Sequence, residues 1–452
     1  MKKLMWSLIA ICIVVLVSAC AAEEAVTPAP SNNQGTTNAP NTSQNTEQKP
    51  QPEEKLEPIE LFMYYPYPAD WPEDVFRETY AEPIQEQFPH ITIKYLPGGS
   101  IPEMLTIKQP IDILWASTGA TPNFLNANEL EFDISELINK YDYDLSRFDP
   151  HILEAGQKFA NGGLYGLPIY VPPSTMYYNK ALFDQFGVEY PTDDMTWDEV
   201  YDINQRLTRT EDGVSYVGIA LSYGHMALLN QWSIPIVNEE TMRSTFDTDE
   251  RWKPWMETFV RFYDNYDNNP SRMAEPHERR RFFQDRTAAM FFALTALEPE
   301  ENMIDLDWDV ASFPSFADRP GVGPQPYPNY FQITSMSEHK DAAFQVIAFL
   351  ASDEYQMRWS RAGRMLTTLK DPAFREAFGA DNPFYQGKNV KAFWPKSYAP
   401  VGPQTIYNNQ GNSYFNPAMR SVILGEKDIN TALREAAETY NQFIIEREAA
   451  RN

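Results

Sequence analysis

Three short stretches decide how this chain of 452 residues folds: GGLYGLP at Gly162–Pro168, MYYNKALF at Met176–Phe183 and TWDE at Thr196–Glu199. In the third stretch a Thr stands three residues before a Glu, which is the capping-box pattern of a helix start. Apolar residues then recur on one helical face as far as Leu207. The sequence therefore predicts a helix from Thr196 onward and a second folding unit after Pro168.

Strand and helix patterns alternate on the N-terminal side of these stretches. Strands are predicted at Ile59–Tyr65, Ile91–Tyr95 and Ile111–Trp115, and a helix-like stretch ending near Phe88 separates the first two. This alternation is typical of an α/β sheet that is covered by helices.

Four more strands and a mostly helical last third are predicted on the C-terminal side. The strands are expected at Tyr216–Ala220, Ala288–Leu294, Trp308–Phe313 and Phe331–Thr334. Two apolar stripes at helical spacing follow, and both are expected to face the core: Ala343, Val346, Ile347 and Leu350, then Ile429, Leu433, Ala436, Tyr440 and Phe443.

The N-terminus has the layout of a secretory signal. Two lysines precede an apolar run, Leu4–Val17, that is shorter than the roughly 20 residues needed to cross a bilayer. The residues Val17-Ser18-Ala19-Cys20 resemble the lipobox of bacterial lipoproteins, with Val17 in place of the usual leucine. We expect residues 1–19 to be a signal peptide and Cys20 to carry a lipid. Residues 20–57, poor in large apolar residues, are expected to form a disordered tether.

Charge and motif content exclude several classes of function. The formal net charge is -26, whereas nucleic-acid affinity depends on Lys and Arg, so we expect no nucleic-acid partner. Apart from Cys12 inside the signal, Cys20 is the one cysteine, which leaves no disulfide. The five histidines are not spaced as metal ligands, and the sequence contains no catalytic motif. We therefore expect no catalytic residue, metal or cofactor. The acidic pair Asp193-Asp194 is interpreted as solvated surface, because 63 acidic residues make such pairs common.

Aromatic residues make up 14% of the chain and gather in loop-like places. Aromatic rings stack on the apolar faces of sugar rings, while nearby amides and carboxylates accept hydroxyl hydrogens. An open cleft lined in this way suits a neutral polar ligand.

The three opening stretches resemble the family 1 extracellular solute-binding proteins, in the family's order and spacing. The family pattern is a G-x-x-Y-G-x-P strand, a Y-N-K segment ending in Phe, and a T-W-[DE]-E helix start. Phe282–Met290 resembles the family's F-x-x-G-x-A-A-M element, with Asp285-Arg286 in place of the glycine-containing turn. Ile333–Gln356 and Gly425–Leu433 are also similar to the family, so the resemblance covers about residues 58 to 447.

The resemblance implies a two-lobed α/β fold like that of periplasmic binding proteins, with hinge strands between the lobes and a helix-rich C-terminal lobe. The N-terminal lobe would take residues 58–167 and 297–340, and the C-terminal lobe residues 168–296 and 341–452. Family ligand positions lie in the loops after the first strand, the D-I-L-W strand, the G-x-P segment and the A-A-M element. The corresponding residues here are Tyr65, Tyr67, Trp71, Trp115, Ser117, Tyr170, Ser174 and Thr295, and aromatic content adds Trp232, Tyr330 and Tyr414.

The resulting hypothesis is a monomeric lipoprotein on the outer face of the cell membrane that is not an enzyme. It would capture a small ligand and deliver it to the permease subunits of an ABC importer. The aromatic residues of the chain indicate that this ligand is an oligosaccharide. Two alternatives stay open. One is a short peptide or charged metabolite as ligand, which would need a basic residue in the cleft. The other is a ligand sensor for a surface receptor, or a surface enzyme.

Lipidation of Cys20 is tested by processing in cells. We expect the mature protein in the membrane fraction, and we expect globomycin to leave the unprocessed precursor, because the lipobox directs cleavage before a lipid-modified cysteine. Cys20→Ser should abolish the modification. A soluble, unlipidated mature chain would contradict the anchor.

Overall fold

Two β-sheets organise the part of the chain that the computed structural model describes, which is residues 56–160, 162–264, 275–294 and 296–451. The strands are β1 (Ile59–Tyr65), β2 (Ile91–Pro97), β3 (Ile113–Ser117), β4 (Gly166–Val171), β5 (Thr175–Asn179), β6 (Arg209–Glu211), β7 (Val214–Ala220), β8 (Val237–Asn238), β9 (Arg243–Ser244), β10 (Ala288–Ala293), β11 (Trp308–Ser312), β12 (Asn329–Ile333) and β13 (Leu366–Thr367). The predicted signal peptide, Cys20 and most of the tether lie outside the described residues.

The helices pack on both sheets. In chain order they are α1 (Glu73–Phe76), α2 (Glu82–Gln87), α3 (Ile101–Thr106), α4 (Thr121–Phe124), α5 (Ser135–Lys140), α6 (Pro150–Phe159), α7 (Lys180–Phe186), α8 (Trp197–Leu207), α9 (Tyr223–Leu228), α10 (Trp252–Val260), α11 (Glu275–Phe283), α12 (Lys340–Leu350), α13 (Asp353–Arg361), α14 (Pro372–Glu376), α15 (Asn412–Ile423) and α16 (Ile429–Arg451).

The first sheet has the strand order β13-β4-β12-β3-β1-β2. Strand β1 pairs in parallel with β2 and β3, whereas β12 runs antiparallel to both β3 and β4. Because side chains alternate along a strand, β1 sends Leu61, Met63 and Tyr65 into one core and Tyr64 into the core on the opposite face. We call this sheet and the helices packed on it the first lobe.

The second sheet has the order β11-β5-β10-β7-β6, and with its helices it forms the second lobe. Strand β5 runs antiparallel to β10 and β11. One large apolar core covers it, and four fully buried side chains of this core are Trp197, Trp252, Trp255 and Trp308. Burial of aromatic side chains on this scale explains how a lobe without disulfides is stabilised.

The predicted capping box is confirmed at the start of α8. The Thr196 hydroxyl accepts a hydrogen bond from the Glu199 backbone N–H, and the Glu199 carboxylate accepts from the Thr196 backbone N–H at 2.7 Å. The predicted strand Ile59–Tyr65 is β1 with the same bounds. The strand predicted at Ile111–Trp115 begins two residues later, at Ile113, and the Asp112 carboxylate before it accepts a hydrogen bond from the Phe62 N–H at 2.8 Å.

The structure places three predicted segments differently from the sequence-based boundaries. The second unit begins after β4, not after Pro168, because β4 pairs with β12 in the first sheet. Strand β11 belongs to the second sheet, although residues 297–340 were expected in the N-terminal lobe. Helices α12 and α13 pack in the core of the first lobe, although residues 341–452 were expected in the other lobe. Because α12 closely follows β12, its apolar stripe packs on the sheet that contains β12.

The acidic pair Asp193-Asp194 is exposed, as the interpretation as solvated surface predicts, and it also joins three segments of the chain. The Asp193 carboxylate accepts from the Ser312 N–H at 2.7 Å and from the Asn389 amide at 2.9 Å. The Asp194 carboxylate pairs with the Lys396 ammonium at 2.6 Å. These contacts hold the chain after Asn389 against the end of β11.

Candidate ligand-binding cleft

The first sheet ends in a crevice that faces the second lobe. Strands β1, β3 and β4 point the same way, so their last residues, Tyr65, Ser117 and Val171, lie at one edge. In open α/β sheets, ligands bind in the crevice outside the carboxyl ends of the strands. The chain leaves the first sheet at this edge through residues 172–174 and returns to it through residues 313–328.

The second sheet presents its strand ends to the same crevice. Thr175, the first residue of β5, pairs with Ala293 at the end of β10 and with Ser312 at the end of β11. Since β5 follows directly from the first crossing, these ends lie beside the passage between the lobes. The crevice is therefore bounded by strand ends from both lobes.

Five of the predicted ligand residues come together in one aromatic cluster at the edge of the first sheet. Tyr65 stacks on Trp71 with ring centroids 3.8 Å apart, and Trp115 meets Tyr65 edge-on at 4.9 Å. The Trp115 indole N–H donates to the Tyr170 hydroxyl at 2.8 Å. Tyr67 contacts the Trp115 ring at 5.8 Å and is 45% exposed. Tyr67 is thus the member of the cluster most open to a ligand.

The tyrosine hydroxyls of this cluster stay protonated under physiological conditions. Burial raises the pKa of Tyr65, and neighbouring Tyr170 and Asp70 add to that increase. Burial also raises the pKa of Tyr67, again with a contribution from Asp70. These hydroxyls can therefore both donate to and accept from a neutral polar group.

A pocket of ≈ 390 Å³ lies between the lobes. Its lining comes from the first lobe, the second lobe and the returning crossing: Thr118, Gly119, Pro122, Phe159, Leu228, Leu229, Gln325, Pro326, Tyr327, Val401, Gln404, Thr405, Asn408 and Asn409. None of these lining residues carries a charged side chain.

Tyr327 connects the pocket to the aromatic cluster. Its hydroxyl accepts a hydrogen bond from the Ser117 hydroxyl at 3.2 Å. Burial raises the pKa of Tyr327, the bond from Ser117 opposes this increase, and neighbouring Tyr67 adds to it. Gly119 makes room for the ring, because a Cβ at that position would lie 2.3 Å from the Tyr327 hydroxyl.

The second lobe supplies a wall rich in amides, residues 401–409. Within it the Thr405 hydroxyl donates to the Asn408 side-chain oxygen at 2.7 Å, and the Asn408 amide donates to the Pro403 carbonyl at 3.0 Å. The Tyr440 hydroxyl of α16 donates to the Tyr407 carbonyl. Hydrogen bonds within the wall, and one from the C-terminal helix α16, therefore fix the conformation of the wall.

The structure places the other predicted ligand residues outside the aromatic cluster. Ser174 is buried in the first crossing, where its N–H donates to the Phe393 carbonyl at 2.9 Å. Trp232 packs on Phe316, with ring centroids 4.7 Å apart, beside the core of the second lobe. Tyr414 stacks on Tyr440 of α16 at 4.7 Å.

Tyr330 and Thr295 complete the predicted set. Tyr330 is buried on the face of the first sheet opposite Trp115, because it follows the alternation of β12. Thr295 lies outside the described residues. Sequence reasoning missed Gly119 and the amide-rich wall as candidate ligand contacts. The run of Asn and Gln between residues 404 and 410 was the visible signal for the wall.

Within the described ranges, no group of three or more His, Cys, Asp or Glu side chains could hold a metal ion. In that same part of the chain, no helix is long and apolar enough to span a membrane.

Residues 73–357, more than half of the chain, match the family of bacterial extracellular solute-binding proteins. The chain belongs to this family. This solute-binding protein has the two-lobed α/β fold of periplasmic binding proteins, as the solved structures also show.

An ABC substrate-binding protein from Listeria monocytogenes, solved in complex with cycloalternan, is similar to the chain with a TM-score of 0.65 and 18% identity, covering 86% of this chain and 99% of that one. The sugar-binding protein MalE from Xanthomonas citri gives a TM-score of 0.64 and 15% identity, with 87% and 99% covered. A solute-binding protein from Agrobacterium vitis with bound D-mannitol gives 0.60 and 17%, with 87% and 99% covered. At these identities the likeness establishes the fold.

The space at Gly119 gives a direct test of the cleft. Gly119→Ala should displace Tyr327, because its Cβ would lie 2.3 Å from that hydroxyl and 3.1 Å from the Asn409 side-chain oxygen. We expect at least about a tenfold loss of affinity for the bound solute, the equivalent of about 1.4 kcal/mol, in isothermal titration calorimetry.

Gly402→Ala is the matched control: Gly402 belongs to the same wall but does not line the pocket, and its Cβ would approach other atoms no closer than 3.4 Å. Both variants should keep the wild-type melting temperature to within a few degrees. Wild-type affinity in Gly119→Ala would contradict the placement of the site at this pocket.

Proposed function

We propose that this protein captures a neutral carbohydrate, an oligosaccharide in particular, between its two lobes and delivers it to an ABC import permease. The observation that carries the proposal is the pocket between the lobes, whose lining is uncharged and rich in amides and hydroxyls. Neutral sugars present many hydroxyls and no charge, so such a lining can match them without leaving a buried charge unpaired.

Stacking on Tyr67 would supply the second part of the affinity. Tyr67 is the exposed ring of the aromatic cluster and lies beside Tyr327, which lines the pocket. A sugar ring has apolar C–H faces as well as hydroxyls, and an aromatic ring next to a polar wall serves both. We propose that the ligand contacts both Tyr67 and the wall at Asn409.

The solved relatives support the same ligand class. Four of them were solved with cycloalternan, D-mannitol, alpha-D-tagatose or maltose bound, and all four ligands are uncharged and rich in hydroxyls. The chain crosses between the lobes three times, at residues 172–174, at residues 313–328 and after α14, and these crossings would act as the hinge when the lobes close on a ligand. We propose that the carbohydrate is recognised in the closed state.

The alternatives find less support in the pocket. A peptide or charged metabolite needs a fixed basic partner, and none of the lining residues is Lys or Arg. A glycosidase needs two opposed carboxylates, and none of the lining residues is Asp or Glu. We therefore propose a binding protein without catalysis, with Cys20 as its lipid anchor to the outer face of the membrane.

A thermal-shift panel tests the ligand class. We expect cycloalternan, maltose, D-tagatose or D-mannitol to raise the melting temperature, because a ligand at 100 times its Kd stabilises the folded state by about 2.7 kcal/mol. Glutamate and a short alanine peptide serve as charged and peptide probes. Stabilisation by either of these probes but by no sugar would contradict the carbohydrate proposal.

Tyr67→Ala, with Tyr190→Ala as its control, then locates the binding site. Tyr190 is 38% exposed, close to the exposure of Tyr67, but lies on the second lobe beside Lys180. Loss of the stacking ring should reduce the thermal shift produced by the sugar in Tyr67→Ala and leave it unchanged in the control.

A further inference from the structure

Three segments that are distant in sequence supply most of the lining of the cleft pocket. They are the end of α9, the returning crossing at residues 325–327 and the wall at residues 401–409. Loop segments lack the ladder of hydrogen bonds that aligns the strands of a sheet. Other contacts must therefore hold these three segments in place around a ligand.

One buried side chain, Gln325 of the returning crossing, joins the three segments. Its backbone N–H donates to the Leu229 carbonyl at 3.0 Å, and its side-chain amide donates to the Asn230 carbonyl at 3.0 Å. Its side-chain oxygen accepts from the Gly402 N–H of the wall at 2.8 Å. Because Gln325 is 4% exposed, water does not compete for these three hydrogen bonds.

The first lobe holds the crossing directly after Gln325. Tyr327, two residues later, is hydrogen-bonded to Ser117 at the end of β3. Only Pro326 lies between Gln325 and Tyr327, and its ring fixes one of its two backbone torsions. The position of the wall relative to Tyr327 therefore depends on the hydrogen bonds of Gln325 and on one stiff residue.

We propose that Gln325 is a positioning residue of the ligand site, which holds the wall and the end of α9 at the distance from Tyr327 that the sugar requires. Protein groups engage both the nitrogen and the oxygen of its amide, so it acts through the wall. Glutamine suits this role because one side chain presents a donor and an acceptor together. The inference rests on the proposed carbohydrate function.

Gln325→Met tests the positioning role, because it removes the side-chain donor and acceptor and keeps a side chain of similar length. The probe is the tightest-binding sugar of the panel of maltose, cycloalternan, D-tagatose and D-mannitol, and affinity is measured by isothermal titration calorimetry on the full mature chain. We expect at least about a tenfold loss of affinity, because the wall is no longer held opposite Tyr327. The free protein should also melt at a lower temperature, since the Asn230 carbonyl and the Gly402 N–H lose their partner.

Gln231→Met is the matched control, because Gln231 is a buried glutamine that holds the same crossing away from the pocket. Its amide donates to the Pro314 and Val322 carbonyls at 2.8 and 2.6 Å, and its oxygen accepts from the Trp197 indole N–H at 2.8 Å. It does not line the cleft pocket. The control should therefore also melt at a lower temperature but keep the wild-type affinity.

Amide hydrogen exchange gives a second readout, which needs no ligand. The Gly402 N–H of the wild type should exchange slowly, because its hydrogen bond to Gln325 is buried. In Gln325→Met the wall should exchange faster, whereas Gln231→Met should leave its exchange unchanged. If Gln325→Met does not fold, the wild type decides: rapid exchange at Gly402 would overturn the positioning role.

The outcomes separate this inference from the function on which it rests. If no sugar of the panel binds the wild type, the carbohydrate function is wrong, and hydrogen exchange still decides whether Gln325 holds the wall. If a sugar binds the wild type and Gln325→Met equally well, the function stands and the positioning role is wrong. An equal loss of affinity in Gln231→Met would overturn the role too, because lost stability alone would then explain the effect.

Discussion

The pairing of β4 with β12 is the constraint on which the rest of the structure depends. Strand β4 leads into the first crossing and β12 receives the second, and they meet with Asn329 opposite Tyr170. Their backbones approach so closely at Gly166 that a Cβ there would lie 2.0 Å from the Phe331 carbonyl oxygen. Because this pair fixes where the first crossing leaves the first sheet and where the second returns to it, it also fixes where the crevice between the lobes opens.

Two kinds of surface line the crevice. The aromatic cluster is largely buried, and its stacked rings and the Trp115–Tyr170 hydrogen bond stiffen the ends of β1, β3 and β4. The pocket beyond it is uncharged and combines an apolar lining with several amides and hydroxyls, and Tyr327 lies where the two surfaces meet. A rigid edge with one exposed ring presents little surface that must be reordered when a ligand binds, which favours affinity.

Local signals in the sequence predicted local structure well. The capping box at Thr196 and the strand Ile59–Tyr65 need only neighbouring residues to form, and both are confirmed. The loop positions after β1 and β3 were also sufficient to bring Tyr65, Tyr67, Trp71 and Trp115 together, since parallel strands end at one edge.

The features that could not be predicted from the sequence depend on contacts between distant segments of the chain. Tyr414 and Trp232 are aromatic residues near predicted loops, yet their rings pack on Tyr440 and Phe316, which lie 26 and 84 residues further along the chain. Helix α12 lies in the first lobe because β12 pairs with β4 in the first sheet. The local periodicity of a sequence does not reveal which strands will pair. The side of the sheet that Tyr330 occupies likewise depends on the register of β12, since a shift of one residue would reverse it.

A crystal structure of the mature protein with a bound sugar would locate the binding site directly. The cleft site predicts a sugar between the lobes, in contact with Tyr67, Tyr327 and the wall at Asn409. A sugar bound elsewhere, with the cleft pocket filled by water, would contradict it.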